Sequence, residues 1–339
     1  MSQDWKNFLA QQGVTEAAES FGDQDAELAA ARDASVLVPL VDQGVIRASG
    51  EEAASFLHNL LTNDVQNLAP GAVRFAGLCT PKGRLLATFH VWWREGDLLL
   101  QLSADILPAI LKKLSMYVLR SKVKLADADQ DTVLLGLGGP DAESLLREQA
   151  MSVPSPMQST AIDGGQVIAL DKARYVLALA PAAAIALWPR LTVKARPSGL
   201  AAWRWLEIAA GQPRIEARTQ EAFVPQMMNM EAPAVAGVIF TKGCYPGQEV
   251  VARTKYLGKV KRRMYRAKID TALPPGTDVF TAEAGDQHCG ALVTVAPSPD
   301  GGFECLVVVQ SSGAEAGEVH AGSPSGPRLQ VLPLPYSID

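Results

Sequence analysis

Cys244 stands between Gly243 and Tyr245 in the stretch KGCYPGQE (residues 242–249), two positions after Lys242. Its thiol is the candidate reactive group of the chain. Tyr245-Pro246-Gly247-Gln248 suits a type II turn, with proline second and glycine third, where φ must be positive. The cysteine is therefore expected on a displayed loop. Gly243 removes a side chain just ahead of the thiol and lets a ligand or another backbone come close. Lys242 and Arg253 are cations that would favour the thiolate, the nucleophilic and metal-binding form of cysteine. The alternative is a small apolar residue tucked under a turn, and the two glycines, the Pro-Gly pair and the lysine weigh against it.

Other constellations are weaker. GLGGPDA (136–142) follows an apolar run, but Asp141 stands where a dinucleotide-binding loop needs its third glycine, so a plain strand-to-helix turn is expected. His288 and Cys289 are adjacent on an expected strand and would face opposite ways, so they make no shared metal site. No metal ligands are assigned: a structural zinc needs about four converging ligands. Cys79, Cys289 and Cys305 read as buried residues. The four histidines come without a G-x-S-x-G, so no serine triad is expected. From Arg253 to Lys268 the chain carries Arg253, Lys255, Lys259, Lys261, Arg262, Arg263, Arg266 and Lys268 with no acid between them. That run is either a solvated linker or an anion-facing surface.

These groups sit in a chain of 339 residues, 48% hydrophobic and 20% charged, with net charge −5. Such a composition implies a soluble globular protein with a large core, and argues against general binding to nucleic acids, DNA included, or to membranes. Four cysteines without a CxxC pair suggest a reducing compartment, and the N-terminus MSQDWKNFLA shows no basic-then-apolar leader, so a cytoplasmic location is expected.

The elements that must position the thiol follow from pattern. Residues 1–33 read as a peripheral helical segment. SVLVPLVDQGVIRASG reads as strand, turn, strand. SGEEAASFLHNLLTNDV reads as a helix with Ser49 as N-cap and Glu52 three residues on. Residues 74–103 read as three strands with turns at Pro81-Lys82-Gly83 and Glu95-Gly96-Asp97. A helix and strand follow, then a strand, a turn and a helix with Pro140 in its first position. Strands around 166–170 and 174–180 precede a helix near 182–190, and the helix of GLAAWRWLEIAAGQPRI stops at Gly211. After Lys268, short strands between Pro/Gly turns indicate a separate all-β unit of barrel type. The class is α+β with mostly antiparallel sheets.

KGCYPGQE resembles the K-G-C-Y-x-G-Q-E signature of the YgfZ family, folate-binding proteins related to the T-protein (aminomethyltransferase) of the glycine cleavage system. FVPQMMNM (223–230), LTNDV (61–65), CTPKGRL (79–85) and PLPYSID (333–339) also resemble the family, and the likeness covers nearly the whole chain. The resemblance implies two α+β lobes around a central channel, with a folate-binding region over 1–250 (the smaller lobe roughly 50–130) and a β-barrel over 251–339. It implies tetrahydrofolate or a derivative as cofactor, and iron–sulfur proteins or their assembly machinery as partners. Lys242 and Cys244 would be the chemical groups, with Gly243, Tyr245, Gly247, Gln248, Glu249 and Arg253 completing the signature. Trp203 would stack on the pterin, and Asn63, Gln226 and Asn229 would belong to the folate site. Two departures stand out: Ala209 replaces the glutamate of the I-E-A-G pattern, and Gln43 stands where a second aromatic is expected.

Three functions are compatible with these residues. One is a folate-binding factor in iron–sulfur cluster assembly or repair, and through it in tRNA modification, acting through the Cys244 thiolate. The second is a folate-dependent one-carbon transferase of the aminomethyltransferase type. The third is a non-catalytic module that binds through the basic run 253–268. Whether the protein turns over a substrate stays open at this point.

Overall fold

Short apolar strands and amphipathic helices alternate irregularly along the chain, and the computed structural model assembles them into two compact units. It describes residues 1–14, 18–256, 258 and 260–338. Lys259 of the basic run and Asp339 of the C-terminal stretch lie outside the described residues. The first unit comprises residues 1–54, 67–74 and 90–206; the second comprises 55–66, 75–89 and 207–339. The chain passes from one to the other inside the strands Val73–Cys79 and Leu85–Arg94.

The first unit is centred on a six-stranded sheet. Its order is Arg196–Pro197, Val36–Pro39, Val133–Gly138, Arg174–Leu179, Gly165–Ala169 and Gln158–Ile162. All its pairings are antiparallel except the short edge pair of Val36 with Arg196. The helix Pro181–Leu191 lays Leu187, Trp188 and Leu191 on this sheet's core, where Trp5 meets Trp188 edge-on with ring centroids 6.0 Å apart. A five-stranded antiparallel sheet has the order Val73–Cys79, Leu85–Arg94, Asp97–Ser103, Gln43–Ser49 and Lys124–Asp127.

The second unit ends in a closed six-stranded barrel: Arg262–Ile269, Phe303–Gln310, Gly290–Pro297, Asp278–Thr281, Val319–Ala321 and Arg328–Leu332, closed by pairing of the first and last. Inward-facing Ala267, Ile269, Val279, Leu292, Val307 and Val309 fill it, with Cys289 and Cys305 among them. The expected α+β class, antiparallel sheets and C-terminal barrel are therefore all present.

Several local expectations are corrected. The helix expected from Ser49 onward covers only Ala53–His58, because Leu61 bridges Leu78 and Thr62 N–H donates to Gly77, so extended pairing takes over at once. Ser49 ends a strand instead of capping the helix, and Glu52 accepts from the backbone N–H of Lys122. The strand, turn and strand expected over 35–50 are present, with Val36–Pro39 and Gln43–Ser49 joining different sheets. Pro140 precedes the helix Ala142–Glu148, whose N-cap is Asp141. His288 and Cys289 lie ahead of the strand that begins at Gly290. The strand Gln158–Ile162, polar and half-exposed, gave no apolar signal.

Trp203 sits in the helix Leu200–Ala209 and is 1% exposed. Its indole lies flat against Gly136 of the central strand, where an added Cβ would come 2.5 Å from Cε3. Gly136→Ala is expected to lower the unfolding free energy by about 1–3 kcal/mol, read from the urea midpoint. An unchanged midpoint would mean that the ring does not rest there.

Candidate functional site

The signature loop belongs wholly to the second unit, and three attachments hold it. The first is Lys242. Its Nζ donates to the backbone carbonyls of His58 and Leu61, the latter at 2.6 Å, and lies 4.8 Å from the centroid of the Tyr245 ring. Burial pulls its pKa down to about 8, against the opposing effect of Asp64 and Cys244. The second attachment is Gln248, whose Nε2 donates back to the Lys242 carbonyl at 3.3 Å and closes the loop on itself. The third is the Pro-Gly turn. Gln248 N–H donates to the Tyr245 carbonyl, and Gly247 has φ +82°, as a type II turn requires.

That turn is seated on another. Thr80–Arg84 closes the hairpin between the strands Val73–Cys79 and Leu85–Arg94, with Gly83 N–H donating to Thr80 and Thr80 N–H to Arg84. A Cβ on Gly247 would come 2.4 Å from the Thr80 carbonyl oxygen and 2.7 Å from Gly83 Cα, so only glycine fits. CTPKGRL and KGCYPGQE, distant in sequence, thus meet through their glycines. Tyr245 is buried beneath the loop, and burial together with Cys79 pushes its phenol pKa up.

Cys244 is exposed between these supports, while Cys79, Cys289 and Cys305 are all buried. Burial pushes the Cys79 and Cys305 thiols up to about 12. The loop runs into the helix Gln248–Tyr256, with Glu249 in its first turn and Arg253 in its last, both exposed.

Beside Gly243 lies a pair that pattern reading passed over as the end of a helix. His58 Nε2 is the nearest atom to a Cβ placed on Gly243, at 3.9 Å. Its Nδ1 lies 3.0 Å from Asp64 Oδ1, an ion-pair contact too poorly aligned for a full hydrogen bond.

The side chains of three residues expected at a folate site bond backbone groups. Asn63 donates to the carbonyls of Phe75 and Ala236, and its own oxygen accepts from Asp64 N–H. Gln226 donates to the Val251 carbonyl, leaving its buried Oε1 without a partner among the described residues. Asn229, in a left-handed conformation, donates to Met264 and hydrogen-bonds Tyr336 of the C-terminal PLPYSID stretch. These three lie in the second unit and Trp203 in the first. Glu207, two positions before Ala209, meets Arg214 at 3.5 Å, and Arg214 meets Glu216 at 3.1 Å. The basic run is partly neutralised: Arg263 and Lys255 pair with Glu231, and Arg266 with Glu304. Among the described residues, Arg253, Lys261 and Arg262 carry no ion pair.

The Lys242 contacts make a pH prediction. Its pKa in the folded protein, about 8, lies below the ordinary lysine value, so between the two the unfolded chain binds more protons. Stability therefore gains a contribution as pH rises through that window. The unfolding midpoint of wild type should rise relative to that of Lys242→Met from pH 8 to about 10; a constant difference would contradict the burial of the ammonium.

Comparison with known proteins agrees with this architecture. Residues 5–167 match the GCVT N-terminal domain family. The chain is 30% identical over 308 residues to tRNA-modifying protein YgfZ of Sodalis glossinidius, covering 89% of this chain and 93% of that protein. It is 33% identical over 310 residues to tRNA-modifying protein YgfZ of Photobacterium profundum, covering 89% and 92%. Its fold is similar to the crystal structure of the glycine cleavage system aminomethyltransferase T from Bartonella henselae, with TM-score 0.79 and 18% identity over 100% of this chain and 98% of that one. With a thiol displayed on a pinned K-G-C-Y-x-G-Q-E loop and a likeness of this extent, the chain belongs to the YgfZ family.

Proposed function

We propose that this chain is a folate-binding protein of the cytoplasm that acts in iron–sulfur cluster assembly or repair, and through it in tRNA modification, using the thiol of Cys244. The observation that carries it is the contrast between one exposed cysteine on a rigidly held loop and three buried ones. The relatives' names, tRNA-modifying protein YgfZ, support the tRNA link. Four free cysteines support a reducing compartment. Among the described residues no helix is long and apolar enough to cross a membrane.

The GCVT N-terminal domain and the aminomethyltransferase fold support a folate. The buried groups of the first unit are compatible with one. Trp203 Nε1 and Gln101 Oε1 are buried without partners among the described residues, and a buried unpaired group costs about 1–3 kcal/mol that a bound heterocycle's polar edge can offset. Trp203 would meet the pterin, as the family resemblance implies. Ala209 offers no carboxylate, and Glu207 is engaged by Arg214. A tetrahydrofolate, when bound, supplies one-carbon carrying capacity. The protein's own part is to hold Cys244 in place and in contact with solvent. A single thiolate cannot hold a cluster, so further ligands would come from a partner protein.

Arg253, Lys261 and Arg262, without an ion pair among the described residues, favour a second reading, a binding module for an acidic partner.

The discriminating experiment is complementation in cells lacking the endogenous protein, read as activity of an iron–sulfur enzyme that modifies tRNA. Cys244→Ser should lose at least about 10-fold in that activity, the scale expected when a reacting group is removed, while folding and folate binding by the purified protein persist. Full rescue by Cys244→Ser, with loss on charge reversal at Arg253, Lys261 and Arg262, would replace the thiol reading with the module.

A further inference from the structure

The helix Leu107–Val118 buries Leu107, Ile110 and Leu114 and turns its opposite side to solvent. Met116, two positions from Leu114, lies on that opposite side. It is 69% exposed, and Tyr117 and Leu119 beside it are 39% and 89% exposed. The other exposed large apolar residues among those described, Val193, Val250 and Tyr256, lie elsewhere along the chain. An isolated one needs no explanation, whereas three within four positions make a patch. Leu119 holds its place under strain. Its φ is +40°, a region that bulky side chains avoid, and at this exposure no burial offsets the cost.

Cations ring the patch. Lys112 and Lys113 stand one turn before Met116, and Lys113 one turn before Tyr117. Arg120, Lys122 and Lys124 follow the helix. No acidic residue occurs between Asp105 and Asp127, in a chain whose net charge is −5. Glu51 pairs with Lys122 Nζ, and Glu52 accepts from Lys122 N–H at 2.6 Å. Lys112, Lys113, Arg120 and Lys124 carry no ion pair among the described residues. Arg120 and Ser121 line, with Tyr117, Leu119 and Glu52, a shallow groove of about 680 Å³.

Partners differ in what they offer such a face. A polynucleotide would meet the cations but leave Met116 and Leu119 in water. Protein interfaces are depleted in lysine, and three of the four cations without an ion pair are lysines. An anionic bilayer meets both halves of the face. Its headgroups take the cations, the acyl layer just beneath takes the apolar tip, and tyrosine suits the boundary between them. Lysine stems lie along apolar surface while the ammonium stays in water.

We propose that Lys112, Lys113, Met116, Tyr117, Leu119 and Arg120 form a docking face for the surface of an anionic lipid bilayer. Leu119 and Met116 enter the interface, Tyr117 sits at headgroup level, and the groove beside Arg120 receives a headgroup. The negative net charge of the chain opposes general attraction to such a surface, so contact is confined to this face. The cytoplasmic leaflet is the anionic one, which fits the proposed location. The docking goes beyond the proposed function and rests on neither Cys244 nor a folate.

The test is co-sedimentation of the full chain with vesicles of phosphatidylcholine alone and of phosphatidylcholine mixed equally with phosphatidylglycerol, at physiological salt. Wild type should bind the mixed vesicles at least about 10-fold more tightly than the neutral ones. Met116→Ser with Leu119→Ser, which leaves the charge unchanged, should weaken that binding about 5-fold or more. Lys112→Glu with Lys113→Glu should weaken it about 10-fold or more and remove the preference for phosphatidylglycerol. Unfolding midpoints of both double variants exclude a general loss of fold. No binding to the mixed vesicles, equal binding to both compositions, or binding that either double variant leaves unchanged would overturn the proposal. So would tighter binding to an unmodified tRNA transcript than to the mixed vesicles, lost in Lys112→Glu with Lys113→Glu, which would assign the face to RNA. A dimer in sedimentation velocity that Met116→Ser with Leu119→Ser breaks would overturn it as well, because the face would then belong to a second copy of the chain.

Discussion

A lysine ammonium held between two backbone carbonyls is the constraint on which the site depends. Lys242 donates to His58 and Leu61 from a half-buried position, with the Tyr245 ring beneath it. Hydrogen bonds from a charged donor contribute about 1.5–3 kcal/mol each, against a desolvation cost visible in the lowered pKa. The geometry is asymmetric: without the ammonium, two carbonyls lose a donor and the loop loses its only charged anchor among the described residues. Gln248 then closes the loop by donating to Lys242's own carbonyl, so the backbone between them has little freedom. Cys244 is consequently both exposed and fixed, two properties that rarely coincide on a surface loop.

The remaining cysteines give the contrast that makes this informative. Cys289 and Cys305 fill the barrel, and Cys79 lies under the loop beside Tyr245. Cysteine serves as a small apolar residue in three places and is displayed in the fourth. The glycines of the two turns serve the same end. Gly247 and Gly83 let two reverse turns meet backbone to backbone, which brings the Thr80–Arg84 hairpin under the signature.

Much of this was legible in the chain itself, for identifiable reasons. The type II turn could be read because proline presets one dihedral and only glycine tolerates the next. The barrel could be read because its strands are short, apolar and punctuated by Pro and Gly. The three strands of residues 73–103 could be read because Pro81-Lys82-Gly83 and Glu95-Gly96-Asp97 punctuate short apolar runs. What escaped was tertiary. The acceptors of Lys242 are backbone carbonyls more than 180 positions away, and a carbonyl carries no residue identity. His58 fitted a helix pattern and its partner Asp64 lay in what read as the same helix, so their meeting followed only once that helix proved to end at His58. Likeness to relatives suggested ligand contacts for Asn63, Gln226 and Asn229, but it could not reveal that their amide groups bond backbone carbonyls. The basic run lost part of its charge to Glu231 and Glu304, which no local pattern announces.

The central claim is that the ammonium of Lys242 holds the loop. Amide hydrogen exchange over residues 241–249 in wild type and Lys242→Met tests it directly. The Gln248 amide, bonded to the Tyr245 carbonyl, should be protected in wild type and should exchange at least about 10-fold faster in the variant, while barrel amides are unchanged. Equal protection of Gln248 in both proteins would show that the turn stands without the lysine, and would contradict the account.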